Sequence, residues 1–173
     1  MDTIDEILGL FRDPHARHAM MVHLPIVMGL LGVPLTLAVL LGGARSLSLK
    51  VVTIVVFLLA GAGAALAASS GEEAESRLEA RGLTAVEQGS LHRHEELGEG
   101  GWIWPLLPAG LTAITLIPAR RRAIPMIAAG LAVAGSLGVA GWVVITAHAG
   151  GSLVYVHGLG VPQRTPGPII DRD

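Results

Sequence analysis

The chain contains no cysteine. That absence excludes a disulfide framework, a thiolate zinc site, an iron-sulfur cluster and a covalently attached c-type haem, all of which need sulfur. Any redox cofactor must therefore be held by His, Met or carboxylate. Charge is scarce too: Asp, Glu, Lys and Arg make up 15% of the 173 residues against 51% apolar ones, a balance that soluble domains rarely show. Positive charge is missing from Met1-Asp2-Thr3-Ile4-Asp5-Glu6, where a secretory signal peptide would carry it. No cleaved leader is expected, and the first hydrophobic segment serves as its own export signal. Ser69-Ser70 and Ser90 show no sign of activation, and the sequence contains no phosphate-binding glycine loop and nothing suited to nucleic acid.

What is present is hydrophobic length. Four apolar stretches, 19–41, 49–69, 102–117 and 124–147, mostly approach the ~20 residues that cross a hydrocarbon core. The third is short and contains Pro105 and Pro108. Thr84 and Glu87 form a capping box pattern, which predicts a helix outside the bilayer through Leu91-His92-Arg93-His94-Glu95-Glu96, interrupted by Gly98, Gly100 and Gly101. Ahead of the first stretch, Ile4, Ile7, Leu8 and Phe11 share one helical face before Asp13-Pro14 breaks the pattern. This segment reads either as a short interfacial helix or as a packed tail.

The connections after the first and third stretches, 42–50 and 118–123, carry Arg45, Lys50, Arg120, Arg121 and Arg122 with no acid. By the positive-inside rule they face the cytoplasm. Every Asp and Glu lies on the opposite side, and Trp102, Trp104, Trp142 and Tyr155 sit where an outer aromatic belt would anchor the bundle. Small residues recur in Ala60-Gly61-Ala62-Gly63-Ala64-Ala65 and at Gly130, Ala134, Gly135, Gly138 and Gly141, which lets backbones or a flat cofactor approach closely.

The expectation is an all-α integral membrane protein, a four-transmembrane-helix bundle with both termini on the non-cytoplasmic side. An interfacial segment covers 1–14, the membrane domain 15–158, and an irregular Pro- and Gly-rich tail 159–173. Four crossings put all seven histidines on one side: His15, His18 and His23 before or at the start of the first helix, His92 and His94 before the third, and His148 and His157 after the fourth. Polar groups near membrane depth are costly unless paired or functional. His23 and His148, both flanked by apolar residues, are the preferred ligand pair for a haem iron, since imidazole is its common axial ligand and facing helices present rings at one depth. His18, His94 and His157 are available for another site. If the last helix ran unbroken, the nine-residue offset would put His148 and His157 on opposite faces, whereas a break at Gly150-Gly151 would let His157 turn inward.

The segments His18-Ala19-Met20-Met21-Val22-His23-Leu24-Pro25, Gly71-Glu72-Glu73-Ala74-Glu75, His94-Glu95 and 146–158, which contains His148-Ala149-Gly150-Gly151, resemble the bacterial membrane family known as domain of unknown function 2231. The resemblance covers nearly the whole chain. Ala19 and Leu24 depart from the Pro and Phe common in that family. The resemblance implies a four-helix domain similar to di-haem b-type cytochromes.

The expected function is therefore a membrane protein that binds haem b and carries electrons at the periplasmic face of a bacterial inner membrane, a carrier rather than a stand-alone enzyme. Two alternatives stand beside it. One is a non-haem copper, zinc or iron protein in which Glu72 or Glu95 completes the imidazole set. The other is an accessory subunit, without a cofactor of its own, of a larger respiratory or photosynthetic complex. The lipid bilayer and other subunits of a membrane electron-transfer complex are the expected partners.

Overall fold

The computed structural model describes residues 3–118 and 120–161. The described residues are helical: α1 (Thr3–Arg12), α2 (Pro14–Met21), α3 (His23–Leu41), α4 (Leu47–Glu79), α5 (Ala85–Gly98), a 3-10 turn (Gly101–Ile103), α6 (Leu106–Ile114) and α7 (Ala123–Tyr155). Asp13 separates α1 from α2. Its Oδ1 accepts the Ala16 N–H at 2.9 Å while Pro14, which has no N–H to lose, takes the first helical position. Val22, itself helical, joins α2 to α3 almost without a break.

Three helical runs are long and apolar enough to cross a membrane: Pro14–Leu41, Leu47–Glu79 and Ala123–Tyr155. Their outward faces leave Val27, Leu30, Leu37, Leu58, Leu59, Leu131, Leu137 and Val144 exposed, a surface that only lipid satisfies. At 1.5 Å per residue, the 33 residues of α4 span about 50 Å. A hydrocarbon core is ~30 Å thick, so α4 carries its Glu-rich end well beyond it. The apolar stretch 102–117 folds differently, as the 3-10 turn followed by a helix of only nine residues. The cause is local: Gly100 adopts a left-handed φ of 68° and Pro105 caps α6 without an N–H to donate.

α3 packs against both α4 and α7, and α6 fills the space between α4 and α7. Phe57 is fully buried on α4, where Gly32 of α3 leaves room for its ring. The fully buried hydroxyls of Thr36, Thr53, Thr112 and Ser136 each donate to a carbonyl of their own helix, and Thr36 also meets Ser136 at 2.9 Å across the α3–α7 contact. Buried polar groups in lipid need such internal partners. At the other end Lys50 buries its side chain to donate from Nζ to the Thr115 carbonyl at 2.8 Å, closing the last turn after α6.

α5 lies across the C-terminal ends of α4 and α7. Its start is a true capping box: Glu87 Oε2 accepts the Thr84 N–H at 2.8 Å, and Thr84 Oγ1 accepts the Glu87 N–H at 3.4 Å. Thr84→Ala is expected to cost about 1 kcal/mol locally. Amide exchange should read this as faster exchange confined to the first turn of α5, and an unchanged rate there would mean that the cap carries no weight.

Candidate functional site

α2 lays His18 against α4. Its Nδ1–H donates to the Ala67 carbonyl at 2.9 Å and lies 3.3 Å from Ser70 Oγ, whose own hydroxyl donates to the same carbonyl. A proton held at Nδ1 leaves Nε2 as the ring nitrogen with a free lone pair. The ring fits because residue 71 is glycine: a Cβ there would stand 3.2 Å from His18 Cε1.

α5 brings His94 onto the other side. The two imidazole centroids are 6.1 Å apart with their planes at 84°. Behind His94 lies a second glycine, Gly150 of α7, where a Cβ would come within 2.9 Å of His94 Cε1. The histidine pair is thus flanked by backbone from α4 and α7, and four helices converge on it. α5 is held in this position by Leu91 packing with Leu78 and Leu153, by Trp142 Nε1–H donating to the Leu97 carbonyl at 2.7 Å, and by Ser90 Oγ facing His157 Nε2 at 3.1 Å. Two buried atoms on α5 and α7, His94 Nδ1 and Thr146 Oγ1, have no hydrogen-bond partner among the described residues. Such orphans are uncommon in folded proteins and mark strain or function.

Burial, and then the neighbouring His18, hold His94 below the ordinary histidine value of 6.5, although the Thr146 carbonyl opposes them. The folded state keeps this ring neutral while the unfolded chain protonates it. Stability is therefore full above about pH 6.5 and is lost as pH falls from there through the lower folded value. Thermal unfolding in detergent should show a midpoint that drops as the pH falls below about 6.5. His94→Gln should flatten that slope, and an equal slope in this variant would assign the effect to another group.

The structure gives the other candidates separate places. His23 and His148 are both exposed, and His23 Nδ1 turns back to its own helix at the Ala19 carbonyl, 2.7 Å away. The antiparallel α3–α7 register, set by Gly29 against Val143 and Thr36 against Ser136, brings His23 level with His148 to within about a residue. They share a height on the outside of the bundle, apart from the buried pair. α7 runs through Gly150-Gly151 without a break, so His157 follows the end of the helix and meets Ser90 while His148 points outward. His15 Nε2 is buried with no partner among the described residues. His92, Glu72 and Glu95 are exposed, with His92 paired to Glu95 and Glu96 at 3.2 Å. Of the expected aromatic belt, Trp102, Trp104 and Tyr155 are exposed while Trp142 turns inward over Gly101. The expected irregular tail lies outside the described residues from position 162 onward.

Among the described residues no three His, Asp or Glu side chains gather closely enough to hold a metal ion. A haem iron asks for two axial donors, and the pair offers imidazoles from separate helices, one with its tautomer set by a carbonyl and one with a buried, uncommitted nitrogen. Beside His18 runs a groove of about 200 Å³ lined by Arg17, Met21, Leu66, Ser69 and Ser70. Cofactor sites usually measure ~300–1,000 Å³, so the fit is one of donor chemistry and not of ready volume.

Sequence reasoning singled out His18 and His94 but missed Gly71, Gly150, Ser70 and Thr146 as their surroundings. The only signal for these residues was their spacing along α4 and α7, which carries no meaning until α2 and α5 are docked. The chain matches no curated relative and no solved structure. A family described as predicted membrane protein, DUF2231, matches it over residues 14–163, nearly the whole of the helical assembly, and on that match the chain belongs to the DUF2231 family of membrane proteins.

Proposed function

We propose that this protein is a b-type haem protein that passes electrons at the periplasmic face of a bacterial inner membrane, with His18 and His94 as its axial pair in place of His23 and His148. The observation that carries the reading is the meeting of two half-buried imidazoles, 6.1 Å apart, each with a ring nitrogen that no described protein group uses. Bound there, haem supplies one-electron exchange. The chain's own part is positional. The Ala67 carbonyl orients His18 and raises the basicity of its free nitrogen, Gly71 and Gly150 let backbone close on both rings, and Trp142 holds the end of α5 that carries His94.

The proposal includes a fourth crossing through residues 101–117, with both termini outside. Support comes from the way α6 runs back along α4. The Trp102 carbonyl lies where a Cβ on Gly61 would approach within 3.0 Å, and Thr115 lies at Lys50, so the segment returns the chain toward the end where α4 began. At that same end Arg122 lies against Gly43, where a Cβ would come within 3.0 Å of its guanidinium, which gathers the basic connections on one side. Protein purified from haem-replete cells should show a Soret band that shifts on reduction. A colourless preparation would overturn the reading and return the chain to a cofactor-free accessory role.

A further inference from the structure

α1 presents Ile4, Ile7, Leu8 and Phe11 within one stripe, all exposed, with Arg12, Asp5 and Gly9 along one flank of it and Leu10, also exposed, beyond the other. Its described contacts are with α2. One residue, Asp13, separates it from the helical run that begins the first membrane span at Pro14, and the Asp13–Ala16 hydrogen bond makes that joint a turn of defined geometry. The end of α1 is therefore fixed to the start of that run, ahead of the apolar stretch that begins at residue 19. A helix held there with one apolar and one polar face has a solvent for each only if it lies along the boundary.

We infer that α1 is a surface anchor docked in the outer lipid–water boundary, and that its partner is a zwitterionic phospholipid surface. The charge of the segment argues for that headgroup class. Residues 1–12 contain three acids, Asp2, Asp5 and Glu6, and one base, Arg12, a side-chain charge of -2 that an anionic surface would repel. A protein partner is the weaker alternative. Stable interfaces bury roughly 800 Å² on each side, and one stripe of a ten-residue helix offers only a fraction of that. The anchor also has a consequence for the site: α2 begins one residue after α1 and carries His18, so the depth of α1 sets the depth from which His18 reaches α4.

The chain lacks cysteine, so single cysteines can be introduced at positions 4, 5, 7, 8, 9, 11 and 12 and spin-labelled in the full-length protein without background. In phosphatidylcholine vesicles, labels at 4, 7, 8 and 11 should be accessible to oxygen and shielded from a water-soluble nickel complex, with the reverse at 5, 9 and 12. Adding phosphatidylglycerol should shrink that contrast. The double variant Ile7→Asp, Leu8→Asp should bring a label at 11 within reach of nickel. Nickel accessibility equal at all seven positions would overturn the proposal, as would labels at 7 and 8 that are immobile and shielded from both reagents, the mark of a protein partner or a second copy. These readouts do not depend on haem.

Discussion

Haem is expected to be lost from His18→Ala and from His94→Ala and retained in His23→Ala and His148→Ala. Loss of a residue that merely supports a ligand lowers metal affinity by ~10–100-fold, and loss of a ligand itself should exceed that range. The two buried variants should therefore purify without a Soret band. His23 and His148 both stand exposed on the outside of the bundle, so removing either ring leaves the inner pair untouched. Alanine in a half-buried position also removes packing, and a bleached variant is by itself ambiguous. His94→Met resolves this, because thioether is an accepted axial donor that raises the reduction potential. Haem kept at a higher potential would establish His94 as a ligand. Bleaching of His148→Ala together with an unchanged His94→Ala would assign the iron to the outer surface and overturn the pairing.

A large stability effect is expected at Gly32. A Cβ there would stand 2.3 Å from Phe57 Cζ and 2.4 Å from Cε1, and the ring is fully buried and has nowhere to go. Overpacking of a close-fitted core costs ~1–3 kcal/mol, and Gly32→Ala should fall at the upper end because the helices themselves must separate. Phe57→Ala alone should cost ~3–5 kcal/mol by opening a cavity. In the double variant the new methyl enters that cavity, so the combined loss should be smaller than the two single losses added together by at least ~1 kcal/mol. Reversible unfolding in mixed micelles measures all three. Strict additivity would mean that Gly32 is not there to admit Phe57.

Different parts of the fold were legible from the sequence to different degrees. The membrane class could be read from composition, since lipid selects for long apolar runs irrespective of how they pack. The start of α5 could be read from Thr84 and Glu87, because a capping box involves only residues three apart. The extent of α4 could not: hydropathy stops near Ser69, but the helix continues to Glu79 because helical hydrogen bonding is indifferent to the change from apolar to charged side chains. The choice among histidines was equally hidden. His23 and His148 carry the more apolar neighbours along the chain, and among those neighbours Leu24 and Ile145 lie exposed on the outside of the bundle. His18 and His94 sit among charged residues in sequence, beside Arg17 and Arg93, and become buried only when α5 folds across the bundle.

The sequence by itself determined that this chain lives in a membrane, that it holds nothing through a thiolate, and that imidazole is its main candidate donor, because each of these follows from which residue types are present and how long the apolar runs are. Only the tertiary structure decided which imidazoles meet. A contact between positions 76 residues apart depends on where α2 and α5 come to rest, and that is set by glycines at 71 and 150 whose role exists only after the helices have packed around them.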